Sequence, residues 1–333
     1  MRKCFIITMV ACCICVIAKA QDPTFSQYYA SPLSYNPANT GFFDGDMRVG
    51  LNERQQWWNV GYNYNSTSVF IDTKLMKDRI DEYDVFSIGL SGVFERSVAG
   101  ALHSNYLSFS TAYHKSLDYQ GAQTLGLGVQ FNYTDKYLDY SQLSFASQFN
   151  GKGFDLSMPG STFGNAGGKS QYFDLNAGLL YAAHFDKANF YAGASLYHIT
   201  KPNETVYYAD GAIVPMRMVL HGGGEFIFND VSSVLFSGYY NQQADATDAI
   251  YGAAYGLKLY PNNEILGLYV GLWQRLHNSF IPYIGADYRK ISIGLDYGIP
   301  SSTSFGFSPQ TFEVSVIYKL GSNSSKAPIC PRF

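Results

Sequence analysis

Residues Leu125–Tyr133 alternate apolar side chains with small or polar ones at a period of two. Leu125, Leu127, Val129, Phe131 and Tyr133 fall on one side of an extended strand; Gly126, Gly128, Gln130 and Asn132 fall on the other. The same strip recurs at Met47–Trp57, Ser66–Leu75, Val85–Phe94, Asn105–His114, Phe173–Tyr181, Phe190–Ile199 and Pro215–Phe228. It continues at Val234–Gln242, Ile250–Tyr260, Leu266–Arg275, Tyr283–Tyr288, Ile291–Tyr297 and Phe312–Tyr318. One strip is compatible with any half-buried sheet. Recurrence without an amphipathic helix in between predicts an all-β fold: a transmembrane antiparallel outer-membrane β-barrel of about 14 strands, apolar outside and polar inside.

The connections sharpen this. With both chain ends on the periplasmic side, every second connection should be a short periplasmic turn. Asp186-Lys187, Asn229-Asp230, Pro261-Asn262-Asn263 and Arg289-Lys290 occupy those positions. Asp135–Ser170, Lys201–Ala212 and Gly298–Pro309 occupy the opposite parity and are the longer, extracellular loops. A soluble β-sandwich or propeller does not predict that asymmetry. Composition agrees: 17 % of the residues are aromatic, with 32 Gly, 28 Tyr and 24 Phe, whereas only 15 % are charged. Aromatics suit interfacial girdles and glycines a crowded inner wall. No apolar run approaches the roughly 18 residues that a membrane-spanning helix requires.

The ends read differently from the barrel, which spans 46–320. Residues 1–20 have a basic start (Arg2, Lys3), a short apolar core (Phe5–Ile17) and Ala18-Lys19-Ala20, predicting a signal peptide cut between Ala20 and Gln21. Cys12, Cys13 and Cys15 raise a lipoprotein alternative, but Met9-Val10-Ala11 is a poor lipidation context. Cleavage leaves Cys330 as the sole cysteine and no internal disulfide. It also leaves 20 basic residues of the original 23 against 26 acidic ones, a formal charge of −6, which disfavours nucleic acid as a partner. Residues 21–45 carry Pro23, Pro32 and Pro37, which exclude a central strand or long helix. Their aromatics Phe25, Tyr28, Tyr29 and Tyr35 imply packing, as a periplasmic, plug-like segment at the barrel mouth; an unstructured leader is the alternative. Residues 321–333 form a C-terminal tail, expected in the periplasm.

Chemistry for catalysis is sparse. The histidines at 103, 114, 184, 198, 221 and 277 show no metal-ligand spacing, and no cofactor or nucleophile motif occurs. Asp174, His198 and Ser195 make a conceivable triad, but strict alternation puts His198 and Ser195 on opposite faces of one strand. The expectation is no catalysis, no cofactor and no metal. Asp174, Lys258, Arg275, Asp287, Asp296 and Glu313 fall on the inner face, where they either line a solute path or cross-link a filled lumen.

Several stretches resemble a known family. The mature start has Gln21-Asp22-Pro23, Phe25-Ser26-Gln27-Tyr28-Tyr29-Ala30 and Asn36-Pro37-Ala38 to Gly41. Arg54-Gln55-Gln56-Trp57 follows, then Gly193-Ala194-Ser195-Leu196-Tyr197-His198 with Lys201-Pro202-Asn203. Met216-Arg217, His221 to Gly224 and Phe312-Glu313-Val314-Ser315 complete the set. In this order they resemble the PorP/SprF family of type IX secretion system outer-membrane proteins of Bacteroidetes. The doubled Trp57-Trp58, the long 135–170 loop and the tail through Cys330 depart from the family pattern.

The resemblance implies a non-enzymatic outer-membrane component that supports protein secretion or surface attachment of a gliding adhesin. Its implied partners are the periplasmic ring, a peptidoglycan-binding anchor, the translocon and an adhesin. Asn36, Pro37, Arg54, Trp57, His198, Pro202, Asn203 and Cys330 are the candidates for partner contact or for structural work at the rim. A porin or transporter for a small solute is the alternative function, and an outer-membrane hydrolase a third.

Overall fold

The computed structural model describes residues 22–59, 63–76, 79–97, 100–155, 168–206, 211–260, 266–276, 278–301 and 310–321. The expected signal peptide, the cleavage pair Ala20-Gln21 and Cys330 lie outside these residues. The strands are β1 (Met47–Gln56), β2 (Tyr64–Leu75), β3 (Val85–Ser97), β4 (Leu102–Ser116), β5 (Gln123–Leu138), β6 (Lys169–Phe185) and β7 (Ala188–Tyr197). After a two-residue ladder of β8 (Asn203–Glu204) and β9 (Ala212–Ile213) come β10 (Arg217–Ile227), β11 (Ser232–Gln243) and β12 (Ala246–Leu259). The last are β13 (Leu266–Arg275), β14 (Ser279–Tyr288), β15 (Ile291–Pro300) and β16 (Thr311–Leu320).

Apart from β8 and β9, these strands close into one barrel of 14, each antiparallel to its sequence neighbour, with β1 paired to β16. All 14 coincide with a strip of the sequence, and closure of the last strand onto the first leaves no edge strand for a bilayer to solvate. No helix among the described residues is long and apolar enough to cross a membrane.

The outer wall is apolar. Leu127 and Phe131 are each 58 % exposed and Val270 66 %, whereas Gln130, Asn132 and Asp174 face inward and are buried. Lipid is the environment that accepts such a surface. Accordingly, Leu127→Arg should lower barrel stability by about 2 kcal/mol. Urea titration of the heat-modifiable band in lipid vesicles measures this; an unchanged midpoint would place Leu127 away from lipid.

One end carries the two-residue turns Asp186-Lys187 and Arg289-Lys290; the other carries the longest connections, 139–168, 198–216 and 301–310, together with one tight turn, Ala244-Asp245. Strands β5 and β6 run further into the long-loop end than the apolar strip indicates, to Leu138 and from Lys169. Their outer face turns polar there, at Asp135, Lys169 and Gln171, joined by an ion pair and a hydrogen bond. The apolar signal stops where polar surroundings begin; the backbone ladder continues. Within the 198–216 connection, β8 and β9 fold over the mouth: Val206 is buried and Glu204 pairs with Lys136 at 2.6 Å.

Candidate functional site

The lumen holds residues 22–46 of the chain itself. Asp22, the first described residue, lies at the long-loop end, so the segment runs the length of the lumen and does not sit only at the short-turn, periplasmic mouth as expected from the sequence. Asp46, just before β1, lies at the short-turn end, where its N–H donates to Leu320 O at 2.8 Å. Between them are three single-turn 3₁₀ helices: Tyr28–Ala30, Pro32–Ser34 and Pro37–Asn39. Pro32 and Pro37 start two of these turns, where a missing N–H costs nothing. The Asn36 side chain caps the third by accepting from Ala38 N–H at 2.8 Å.

Four sets of contacts hold this segment. At the long-loop end, His198 sits between two carboxylates, with Nε2 2.7 Å from Asp22 and Nδ1 2.5 Å from Asp174. Arg217 approaches Asp22 at 3.4 Å, stacks over the Tyr197 ring and donates to Ser34 O at 3.0 Å. Burial disfavours a charged His198, but Asp22 and Asp174 outweigh it and raise the imidazole to about 9. Burial likewise opposes the Asp22 carboxylate, yet His198 and Arg217 hold it well below the usual range.

The signs give a pH window. A raised His198 contributes stability in full below its free value near 6.5 and loses it as pH rises through about 9. A depressed Asp22 contributes above the ordinary carboxylate range and loses it only in strong acid. A nitroxide label at Thr24 should therefore be immobile at neutral pH and gain mobility as the buffer passes about 9. A spectrum constant up to and beyond that pH would show that the imidazolium does not hold this end.

One turn further down, Glu313 on β16 forms a cradle. It is 0 % exposed and accepts from Ser26 N–H (2.7 Å), Gln27 N–H (2.9 Å) and Asn52 Nδ2 (2.7 Å). Arg54 pairs with it at 3.9 Å and also donates to Thr24 O. The register places Arg54 directly opposite Glu313, so barrel closure itself assembles the pair.

In the middle, Asn36-Pro37-Ala38 rests on a bay of glycines. A Cβ at Gly128 would lie 2.3 Å from Ala38 N, one at Gly178 1.9 Å from Asn36 Oδ1, and one at Gly193 2.7 Å from Asn36 Nδ2. The missing side chains let the Gly128 backbone meet that of Pro37 and Ala38 and leave room for the Asn36 amide beside Gly178 and Gly193. Asn36 Nδ2 donates to Leu179 O at 2.9 Å and meets His221 Nε2 at 2.8 Å.

At the short-turn end, Asp72 takes a two-point contact from Arg48 (3.0 and 2.8 Å) and the Gly41 N–H (2.8 Å). Arg48 lies between the Phe43 and Phe70 rings, and Lys74 donates to Phe43 O at 2.6 Å.

The opposite half of the lumen is apolar, which alternation does not indicate. Val219, Leu235, Ile250, Trp273 and Ile281 point inward and bury Tyr28 and Tyr35. Tyr28 stacks on Tyr239 at 5.1 Å, and Tyr35 meets the His221 ring edge-on at 4.7 Å. Inner walls of β10–β14 tolerate such residues because a polypeptide, and not water, covers them. Cavities of about 60 and 50 Å³ are found between the segment and the wall. Each is a size for a few waters.

Asn36, Pro37, Arg54 and His198 thus converge on the filled lumen. Trp57 does not; it is exposed at the long-loop rim, 6.3 Å from the Tyr64 ring. Pro202 and Asn203 belong to the connection over the mouth, where Pro202 O accepts from Val214 N–H and Asn203 pairs with Ile213. The expectation that His198 and Ser195 face opposite ways is overturned. Strand β7 ends at Tyr197, and His198 adopts φ 57°, which turns its ring into the lumen on the Ser195 side. The Ser195 hydroxyl donates to Tyr35 O at 2.6 Å, another tie to the segment. Of the inward charges, Asp174 and Glu313 hold the segment or its anchors, Arg275 pairs with Asp248 at 3.4 Å, and Asp296 lies opposite Glu313.

Asp22, Arg217, His221 and the bay of Gly128, Gly178 and Gly193 are the contacts that site reasoning from sequence passed over. The glycines were visible on the inner rows of three separate strips, but their partner lies some 90 residues or more away in the chain.

No curated protein matches the sequence. Among solved structures, the Ralstonia pickettii toluene transporter TbuX is similar, at 12 % identity over 87 % of this chain and 92 % of that one, with a TM-score of 0.49. A Pseudomonas aeruginosa FadL homologue is similar at 12 % identity over 85 % and 92 %, with a TM-score of 0.48. Residues 17–318 match the family of type IX secretion system membrane proteins PorP/SprF, and the chain belongs to that family.

Proposed function

We propose that the protein is a non-enzymatic outer-membrane component of the type IX secretion system. It supports cargo secretion or surface attachment of an adhesin through contacts with the periplasmic ring, a peptidoglycan anchor or the translocon. The long-loop end faces outward and the short-turn end, with both termini of the barrel, faces the periplasm. Family membership supports this role, and so does the barrel fold for an outer-membrane location.

The observation that carries the reading is the lumen occupied by residues 22–46, held at Asp22, Glu313, the glycine bay and Asp72. A barrel of 14 strands filled by its own chain suits a scaffold better than a conduit. The solute-porin alternative drew on the inward charges, and Asp174, Glu313 and Arg275 are engaged in ion pairs instead.

Deletion of the gene should abolish secretion of type IX cargo or display of one adhesin, with restoration by the intact gene. Normal secretion and display in the mutant would sink the proposal. Purified protein should be silent in planar bilayers; a stable open conductance would favour the porin.

A further inference from the structure

We infer that residues 22–46 are the template on which the barrel closes: they seat against β1–β4 first, and Gln27 then captures β16, the last strand, at its junction with β1. This is a function in assembly, additional to any role of the finished barrel in secretion.

The partners of the segment on β1–β4 are near it in the chain. Arg54 donates to Thr24 O, and Asn52 Nδ2 reaches Ser31 Oγ at 3.2 Å. Arg48 Nη2 donates to Asn39 O at 3.3 Å, and Asp72 accepts from Gly41 N–H at 2.8 Å. The Ser87 hydroxyl donates to Thr40 O at 2.7 Å, and the Thr40 hydroxyl to Ser110 Oγ at 2.8 Å. These contacts join residues 9 to 70 positions apart. Contacts that close short loops form early, because the chain entropy they cost is small. Glu313 lies 286 residues from Gln27 and arrives last.

Gln27 sits across the junction of β1 and β16. Its carbonyl accepts from Asn52 of β1 at 3.4 Å. Towards β16, its N–H donates to Glu313 Oε1 at 2.9 Å and its side-chain Nε2 to Glu313 O at 3.1 Å. Its Oε1 accepts from the Ser315 hydroxyl at 2.6 Å. Asn52 and Ser315 are partners in register, so this one residue touches both members of a pair that closure has to bring together. Asp46 does the same at the short-turn end. Its N–H donates to Leu320 O of β16 at 2.8 Å, and its carbonyl accepts from Lys74 N–H of β2 at 2.9 Å. A segment already seated on β1 therefore offers β16 hydrogen bonds beyond those of the β1–β16 ladder, at both ends of the junction.

The segment cannot enter afterwards. Gln27, Asn36, Ala38 and Thr40 are 0 % exposed, and Tyr28 and Phe43 are buried. The voids around the segment are about 60 and 50 Å³, room for a few waters and not for an aromatic ring in transit. Over the long-loop end, Val206 is buried and Glu204 pairs with Lys136. Three single-turn helices carrying aromatics would have to pass packed walls, which deform little. Strands laid down around the segment in chain order meet no such barrier.

The test follows assembly of the urea-unfolded protein after dilution into lipid vesicles. A nitroxide at Thr24 reports seating of the segment, and the heat-modifiable band reports barrel closure. The label should become immobile no later than the band appears; a band that forms while the label is still mobile would overturn the template. Gln27→Ala removes both side-chain bonds to β16 and should slow band formation about tenfold, with little effect on the rate of unfolding. Ser315→Ala removes one of those bonds from the other side and should slow it about threefold, which keeps the test valid should Gln27→Ala not close at all. Ser195→Ala is the control, because its lost bond to Tyr35 O also holds the segment but lies on β7, away from the junction. It should close at the parental rate. Parental rates in Gln27→Ala and Ser315→Ala, or equal slowing in all three variants, would show that the segment only stabilises a barrel that closes without it.

Discussion

In planar bilayers, Glu313→Ala protein should pass current where the parent is silent, and its barrel should melt earlier. Glu313 is the most heavily used side chain of the lumen. Its two oxygens take the N–H groups of Ser26 and Gln27, the Asn52 amide and the charge of Arg54. Alanine removes all four partners at once and leaves a guanidinium buried beside unpaired amides. Breaking a buried pair from one side costs about 3–5 kcal/mol. Part of that cost falls on the barrel and part on the seating of residues 22–46, which is why conductance and melting should change together. Glu313→Gln retains an acceptor oxygen but turns an NH₂ toward existing donors, so an intermediate effect is expected. A silent Glu313→Ala protein with unchanged melting would mean that the cradle does not hold the segment.

Gly128→Val should unseat the same segment from its middle. The first carbon of any side chain at position 128 would lie 2.3 Å from Ala38 N and 2.4 Å from Pro37 C. These are backbone atoms within a turn started by proline, so no rotamer change relieves the clash. Overpacking of a tight contact costs about 1–3 kcal/mol, and the rigid backbone puts this case at the upper end. Gly153, with nothing within 4 Å of its would-be Cβ, is the control. Gly153→Val should resemble the parent in proteolysis of residues 22–46, whereas Gly128→Val should expose them. Equal protection of both variants would refute the glycine bay as a seat.

The two cases separate what can be read from a chain from what cannot. The barrel was legible because each strand's side chains meet a different medium on each face. Lipid accepts Leu125, Leu127 and Phe131, while the lumen accepts Gln130 and Asn132, and a period of two records that contrast locally. Where the media stop contrasting, so does the signal. Strands β5 and β6 outrun the apolar strip once their outer face meets polar surroundings, and the inner wall at Leu235, Ile250 and Trp273 reads as apolar because protein covers it.

The site follows the same logic. Asn36, Pro37, Arg54 and His198 were singled out from sequence, but their convergence was not. That His198 turns inward depends on a single positive φ after β7, against the alternation of its strand. That Glu313 faces Arg54 depends on closure of the last strand onto the first, 259 residues apart. By itself, then, the sequence determined a two-faced sheet long enough to close, since alternation is a property of neighbouring residues and needs no partner. Only the tertiary structure decided what fills the barrel and which groups hold it, because those contacts join residues that closure, and not proximity along the chain, brings within 3 Å.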